Sequence, residues 1–197
     1  MSPRSRTVLL GLGIVVALAV ASGGCRQKAK TPQEAYKRLT AAVTENDGGA
    51  LFDALDQETR WNWMSIQKFH REAYDIVLSN FPEGEIRERE TRRFEHAATA
   101  PSARDLFIAD AAPTILPMLR PLVLSSAPIE PGATGDDAAA VLASGARVPL
   151  RRAKNGDWGY AGLAKRAEED KNRAYNDLEV VRASAADFER AAARAGK

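Results

Sequence analysis

From residue 31 onward, apolar positions recur at helical spacing along most of the chain. Ala35, Tyr36, Leu39, Ala42 and Val43 fall on one stripe and predict an amphipathic helix running to about Glu45. Its start is marked by Thr31 as a cap, by Pro32 at the first helical position, and by Glu34 three residues after the cap. Asn46-Asp47-Gly48-Gly49 stops it. A short helix is predicted over 50–55, with Leu51, Phe52 and Leu55 on one side. A long one follows from Glu58 to about Asn80, carrying Trp61, Met64, Ile66, Phe69, Ala73, Ile76, Val77 and Leu78. Residues 83–93 alternate acids with arginines, which predicts a solvated helical face. Between 100 and 124, Pro101, Pro113, Pro117 and Pro121 predict that the chain is broken into short helical pieces.

After a turn-rich stretch over 133–137 the period changes. Extended runs at 139–143 and 147–152 flank Ser144-Gly145-Ala146, and Asn155-Gly156 leads into Trp158-Gly159-Tyr160. Asn-Gly between extended runs is a strong hairpin signal, so three antiparallel strands are predicted. Beyond Gly162 a helical pattern returns to about Ala195, with Ala174, Leu178, Val181, Ala185, Phe188 and Ala192 spaced alternately by four and three. This seam predicts packing along the protein's own body. A short coiled-coil contact with another chain is the alternative. The order of elements gives an α+β fold: N-terminal helices packed on a small antiparallel sheet, with a long C-terminal helix. A mainly helical body with one small sheet is the other architecture consistent with the pattern.

Residues 7–21 run without a charge behind Arg4 and Arg6 and end in small residues before Cys25. About 20 apolar residues are needed to span a bilayer, so the run is short for a permanent span and suits a cleaved export signal over 1–24. An uncleaved anchor helix would leave the body in the same compartment. The 197 residues then leave room for one ordinary domain. Its assigned parts are a tether over 25–30, an α+β body over 31–162 and a terminal helix over 163–197.

The chain carries 28 Lys and Arg against 26 Asp and Glu. Cleavage before Cys25 would remove Arg4 and Arg6 and leave the two signs equal. Such a balanced surface offers no basic face for nucleic acid and no polybasic patch for a membrane.

No catalytic constellation emerges from the spacing. His70 and His96 are the only histidines and have no Cys or second His at ligand spacing, so neither a metal nor another cofactor is expected. His70 is placed on an exposed edge of the long helix. Asp53, Asp56 and Glu58 cluster near a helix start, where capping is the leading reading over an acid/base pair. Trp61 and Trp63 stand two apart, so a helix sends them to different faces. Core packing for both is the leading reading, and exposure of either would make it a contact for a partner or an apolar ligand.

Two resemblances add to this. Ser22-Gly23-Gly24-Cys25 resembles the lipobox of bacterial lipoproteins, although Ser22 stands where that motif usually has Leu. The resemblance implies a diacylglyceryl group on Cys25, with further acylation of the new amino terminus. An ordinary export signal with an incidental thiol is the alternative. Arg26, rather than Asp, after the cysteine implies the outer membrane in preference to the inner one. Thr31-Pro32-Gln33-Glu34-Ala35, Asp56-Gln57-Glu58-Thr59-Arg60 and Lys154-Asn155-Gly156-Asp157-Trp158 resemble phrases of the nuclear transport factor 2-like and SnoaL-like group of cone-shaped α+β domains. That group includes enzymes and pure binding modules on one frame. The expectation is a lipid-anchored, non-enzymatic binding module of the cell envelope, with an envelope protein or a small apolar molecule as its partner. The alternative is a SnoaL-like enzyme using an acid/base pair in the cone.

Overall fold

The computed structural model describes residues 28–123 and 127–195. The fold is α+β: among the described residues, six helices precede a four-stranded antiparallel sheet and one long helix follows it. Helix α1 (Pro32–Thr44) begins at Thr31, whose side chain accepts the Glu34 N–H at 3.2 Å. Glu34 reaches back to the N–H of Lys30 at 2.6 Å, so the reciprocal cap closes one residue earlier than the capping-box pattern implies. Asn46 ends α1 in the left-handed region, with φ 55°, and the N–H groups of Asp47 and Asn46 return to Ala42 and Val43. Asp47 then caps α2 (Gly48–Ala54).

Helix α3 (Gln57–Asn80) is about 36 Å long, at 1.5 Å per residue. Helix α4 (Glu85–Thr99) buries only Phe94 and Ala98, and its charged remainder faces solvent as its sequence predicts. Helices α5 (Ala103–Asp110) and α6 (Ala112–Val123) follow. The predicted breaks at Pro117 and Pro121 do not occur: α6 runs through both. Pro113, Pro117 and Pro121 recur every four residues and all are exposed, so the backbone bonds they remove lie on the wet side of the helix. Ile115, Leu116 and Leu119 hold the opposite side in the core.

The sheet is a meander of β1 (Ile129–Pro131), β2 (Asp137–Val141), β3 (Arg147–Arg152) and β4 (Trp158–Tyr160). It has one strand more than predicted, because β1 is three residues long and half exposed, too short for a period-two signal. Gly145 and Gly156 adopt φ of 82° and 84° at the ends of two tight hairpin loops. The N–H of Asp56 donates to the Tyr160 carbonyl at 3.0 Å and ties the α2–α3 junction to the sheet edge.

Two apolar clusters result. The larger joins α1, α2, α5, α6 and the inner sheet residues Ala138, Ala140, Val148, Leu150 and Tyr160. The second joins the far half of α3 to α4 and to α7 (Ala164–Ala195) through Ala73, Val77, Phe81, Phe94, Leu178, Val181 and Ala185. Helix α7 therefore packs along the protein's own body. Its seam packs on α3, with Phe188 edge-on to Phe81 at 4.9 Å between ring centres.

The export signal expected over 1–24 and Cys25 lie outside the described residues. Of the tether expected over 25–30, residues 28–30 are described, and they dock on the body. Ala29 is buried, and its carbonyl accepts the Trp158 N–H at 2.8 Å. Lys30 and Lys28 pair with Asp157 at 2.7 and 3.4 Å.

Candidate functional site

The backbone tie at Leu55-Asp56 places the first turn of α3 over the outer face of β3 and β4. Asp56 caps the helix, its Oδ1 accepting the Thr59 N–H at 3.1 Å. Its other oxygen lies 3.4 Å from Arg151, which also pairs with Glu58 and approaches Asp137 at 3.9 Å. One guanidinium on β3 thus gathers three carboxylates, and Asp56, 3% exposed, is the buried one. Of the acid trio read from the sequence, Asp56 and Glu58 share this cluster. Asp53 faces away toward Arg104, at 3.6 Å. Both Asp56 and Glu58 are ion-paired with the same guanidinium, that of Arg151.

The two tryptophans separate. Trp63 is 9% exposed and packs edge-on against Phe107 at 5.2 Å, as part of the core. Trp61 is 58% exposed, which corrects the reading of both as core. Met64, one turn further along α3, is 56% exposed on the same side. Trp61 borders a groove of about 380 Å³ shared with the Arg151–Asn155 end of the β3–β4 hairpin. Met64 borders a second groove, of about 630 Å³, that runs past Gln67 and Arg71 to Pro101 and Ser102. The two apolar side chains thus stand on a shared ridge, each bordering a trough whose lining is mainly apolar.

His70 is not on an exposed edge. It is half-buried beside Phe94, at 5.7 Å between ring centres, and its Nδ1 is buried without a hydrogen-bond partner. Burial lowers its pKa below the usual 6.5; Asp177 and Asp110 oppose the shift and Arg93 reinforces it. The ring borders a small cavity of about 220 Å³ with Trp63, Leu106 and Asp177. His96 instead contacts Asp110 at 2.7 Å on an exposed surface. Among the described residues no group of three or more His, Cys, Asp or Glu is placed to hold a metal.

A further cleft, of about 460 Å³, opens where the N-terminal segment meets the body. Lys28, Ala29 and Trp158 form one wall, and Arg38, Asp53 and Arg60 stand on the helices opposite. Burial pushes the nearby Asp157 carboxyl up, but hydrogen bonds from Lys30 and Lys28 and their charges outweigh it, and it titrates below the usual carboxylate range. The sequence reading did not single out Arg38, Arg151 or Asp157 as site residues. Each is one charge among many along the chain, and only the crossing of α1, α3 and the last hairpin brings them to a site.

The chain matches no protein-family profile, no curated protein and no solved structure. Among the described residues, no single helix is long and apolar enough to cross a membrane.

Proposed function

We propose that this protein is a lipid-anchored binding module of the bacterial cell envelope, held through acylated Cys25 on the outer membrane, with a nuclear transport factor 2-like body. The observation that carries the reading is the position of the only cysteine, directly after a basic, then apolar, then small-residue leader. The docking of Lys28–Lys30 supports it, since these body-bound residues begin three positions after Cys25. The ridge of Trp61 and Met64 supports an interaction role, with an envelope protein as the partner: large apolar groups exposed side by side keep an energetic reason to be covered. Commitment of Asp56, Glu58 and Asp157 to cations favours binding over the acid/base chemistry of a SnoaL-like enzyme.

The anchor is tested by metabolic labelling with an alkyne fatty acid in a bacterial host. The protein should be labelled, Cys25→Ser should abolish labelling, and a lipoprotein-peptidase inhibitor of the globomycin type should accumulate the precursor. Equal labelling of the Cys25→Ser chain would overturn the assignment. For the interaction face, in-cell photocrosslinking from position 61 should give a discrete protein adduct that Met64→Glu removes. Absence of any adduct would refute that role for the ridge.

A further inference from the structure

Arg38 on α1 and Arg60 near the start of α3 line the same cleft, and both are half-buried. Among the described residues neither guanidinium has a carboxylate at ion-pairing distance, and Nε of Arg60 is buried without an acceptor. The other charges around the cleft are largely spoken for. Asp157 is shared by Lys28 and Lys30, and Asp53 faces Arg104. Glu45, at the C-terminal cap of α1, is exposed to solvent on the rim. Partly desolvated cations without a counter-ion favour an anion in the space between them, and the guanidinium fork matches the oxygens of phosphate. The remaining wall is apolar, formed by Ala41, Ala42, Ala50 and the ring of Trp158.

We propose that this cleft binds the phosphate of an anionic lipid headgroup, gripped between Arg38 and Arg60, with the glycerol and first acyl carbons against Trp158. The place of the cleft favours a lipid over a free phosphate. Lys28 lines its mouth, and three residue steps from Cys25 to Lys28 span at most about 11 Å. An acylated Cys25 therefore holds the opening at headgroup depth. That choice of source rests on the proposed anchor; the binding chemistry itself does not.

The test is titration of the purified full-length protein, in neutral detergent, with monomeric dihexanoyl-phosphatidylglycerol, followed by Trp fluorescence and calorimetry. Inorganic phosphate and dihexanoyl-phosphatidylcholine serve as comparison ligands. Saturable binding of the phosphatidylglycerol is expected, weakened about tenfold or more by Arg38→Gln and by Arg60→Gln. Arg60→Lys, which keeps the charge and loses the fork, should fall between, and it decides the matter if a Gln variant fails to fold. Phosphate binding as tightly as the lipid would overturn the lipid assignment. No saturable binding, or binding unchanged by these substitutions, would overturn the site. Monomeric lipid reaches the cleft whether or not Cys25 is acylated, so failure here is distinct from failure of the anchor.

Discussion

Asp56 offers a sharp test of whether the acidic cluster is structural, because its two oxygens do different things. One accepts the Thr59 N–H at 3.1 Å as the cap of α3, and the other faces Arg151 at 3.4 Å. Asp56→Ala removes both roles. Loss of a capping side chain costs about 1 kcal/mol, within a range of roughly 0.5 to 2. The Arg151 pair adds less than about 1 kcal/mol, because that side chain is 38% exposed, which screens it, and Glu58 and Asp137 remain beside it. Loss of a negative charge at the helix N-terminus adds a few tenths of a kcal/mol. The expected total is about 2 kcal/mol, or roughly 4 to 8 °C in Tm for a body of this size. Asp56→Asn keeps an oxygen for the cap and should cost about half as much. Urea unfolding followed by circular dichroism measures both, and repeating Asp56→Asn with Arg151→Ala isolates the pair. If Asn proves as damaging as Ala, the cap is not what holds Asp56 in place, and the structural assignment of the cluster fails.

Gly159→Ala should destabilise by about 1 to 3 kcal/mol, because a Cβ there would stand 2.5 to 2.6 Å from backbone atoms of Leu55 and Asp56, which cannot swing aside; calorimetry showing an unchanged Tm would refute that packing. Leu178→Ala removes a fully buried side chain from the α3–α4–α7 cluster and should cost roughly 2 to 5 kcal/mol in a denaturant titration. Amide exchange should then rise mainly in α7 and α4, and a uniform rise would mean that the two clusters unfold as one. His70 has a folded-state pKa below its usual 6.5, so the unfolded chain takes up this proton first and stability should fall as pH drops through and below that value, levelling off once the folded-state pKa is passed. His70→Leu should flatten this limb of the pH profile between about pH 7 and 5, and an unchanged slope would show that another group carries it.

Much of the architecture is written locally in the chain. Helix starts at Thr31 and Asp56, the stop at Asn46, and the glycines that close the two hairpin loops each depend on the conformational preference of one or two residues, and they can be read without knowing the fold. The α+β order follows from where the period changes from helical to alternating. Tertiary contact decided the rest. Pro117 and Pro121 predict breaks by local rule, yet they sit inside α6 because their missing hydrogen bonds fall on its solvent side. The two-residue offset of Trp61 and Trp63 shows that they part; only packing against Phe107 selects which is buried. His70 looks peripheral until α4 and α7 close over it, and Lys28–Lys30 look like a loose tether until Asp157 and Trp158 arrive from the far end of the chain. Arg38 and Arg60 are ordinary charges in a helical pattern, and become a pair in a cleft only because two helices and a hairpin cross there. Local signals are set by backbone torsion and nearest neighbours, which the sequence states directly. Burial and charge pairing depend on residues more than 100 positions apart meeting, and that is fixed by the packing of the whole body.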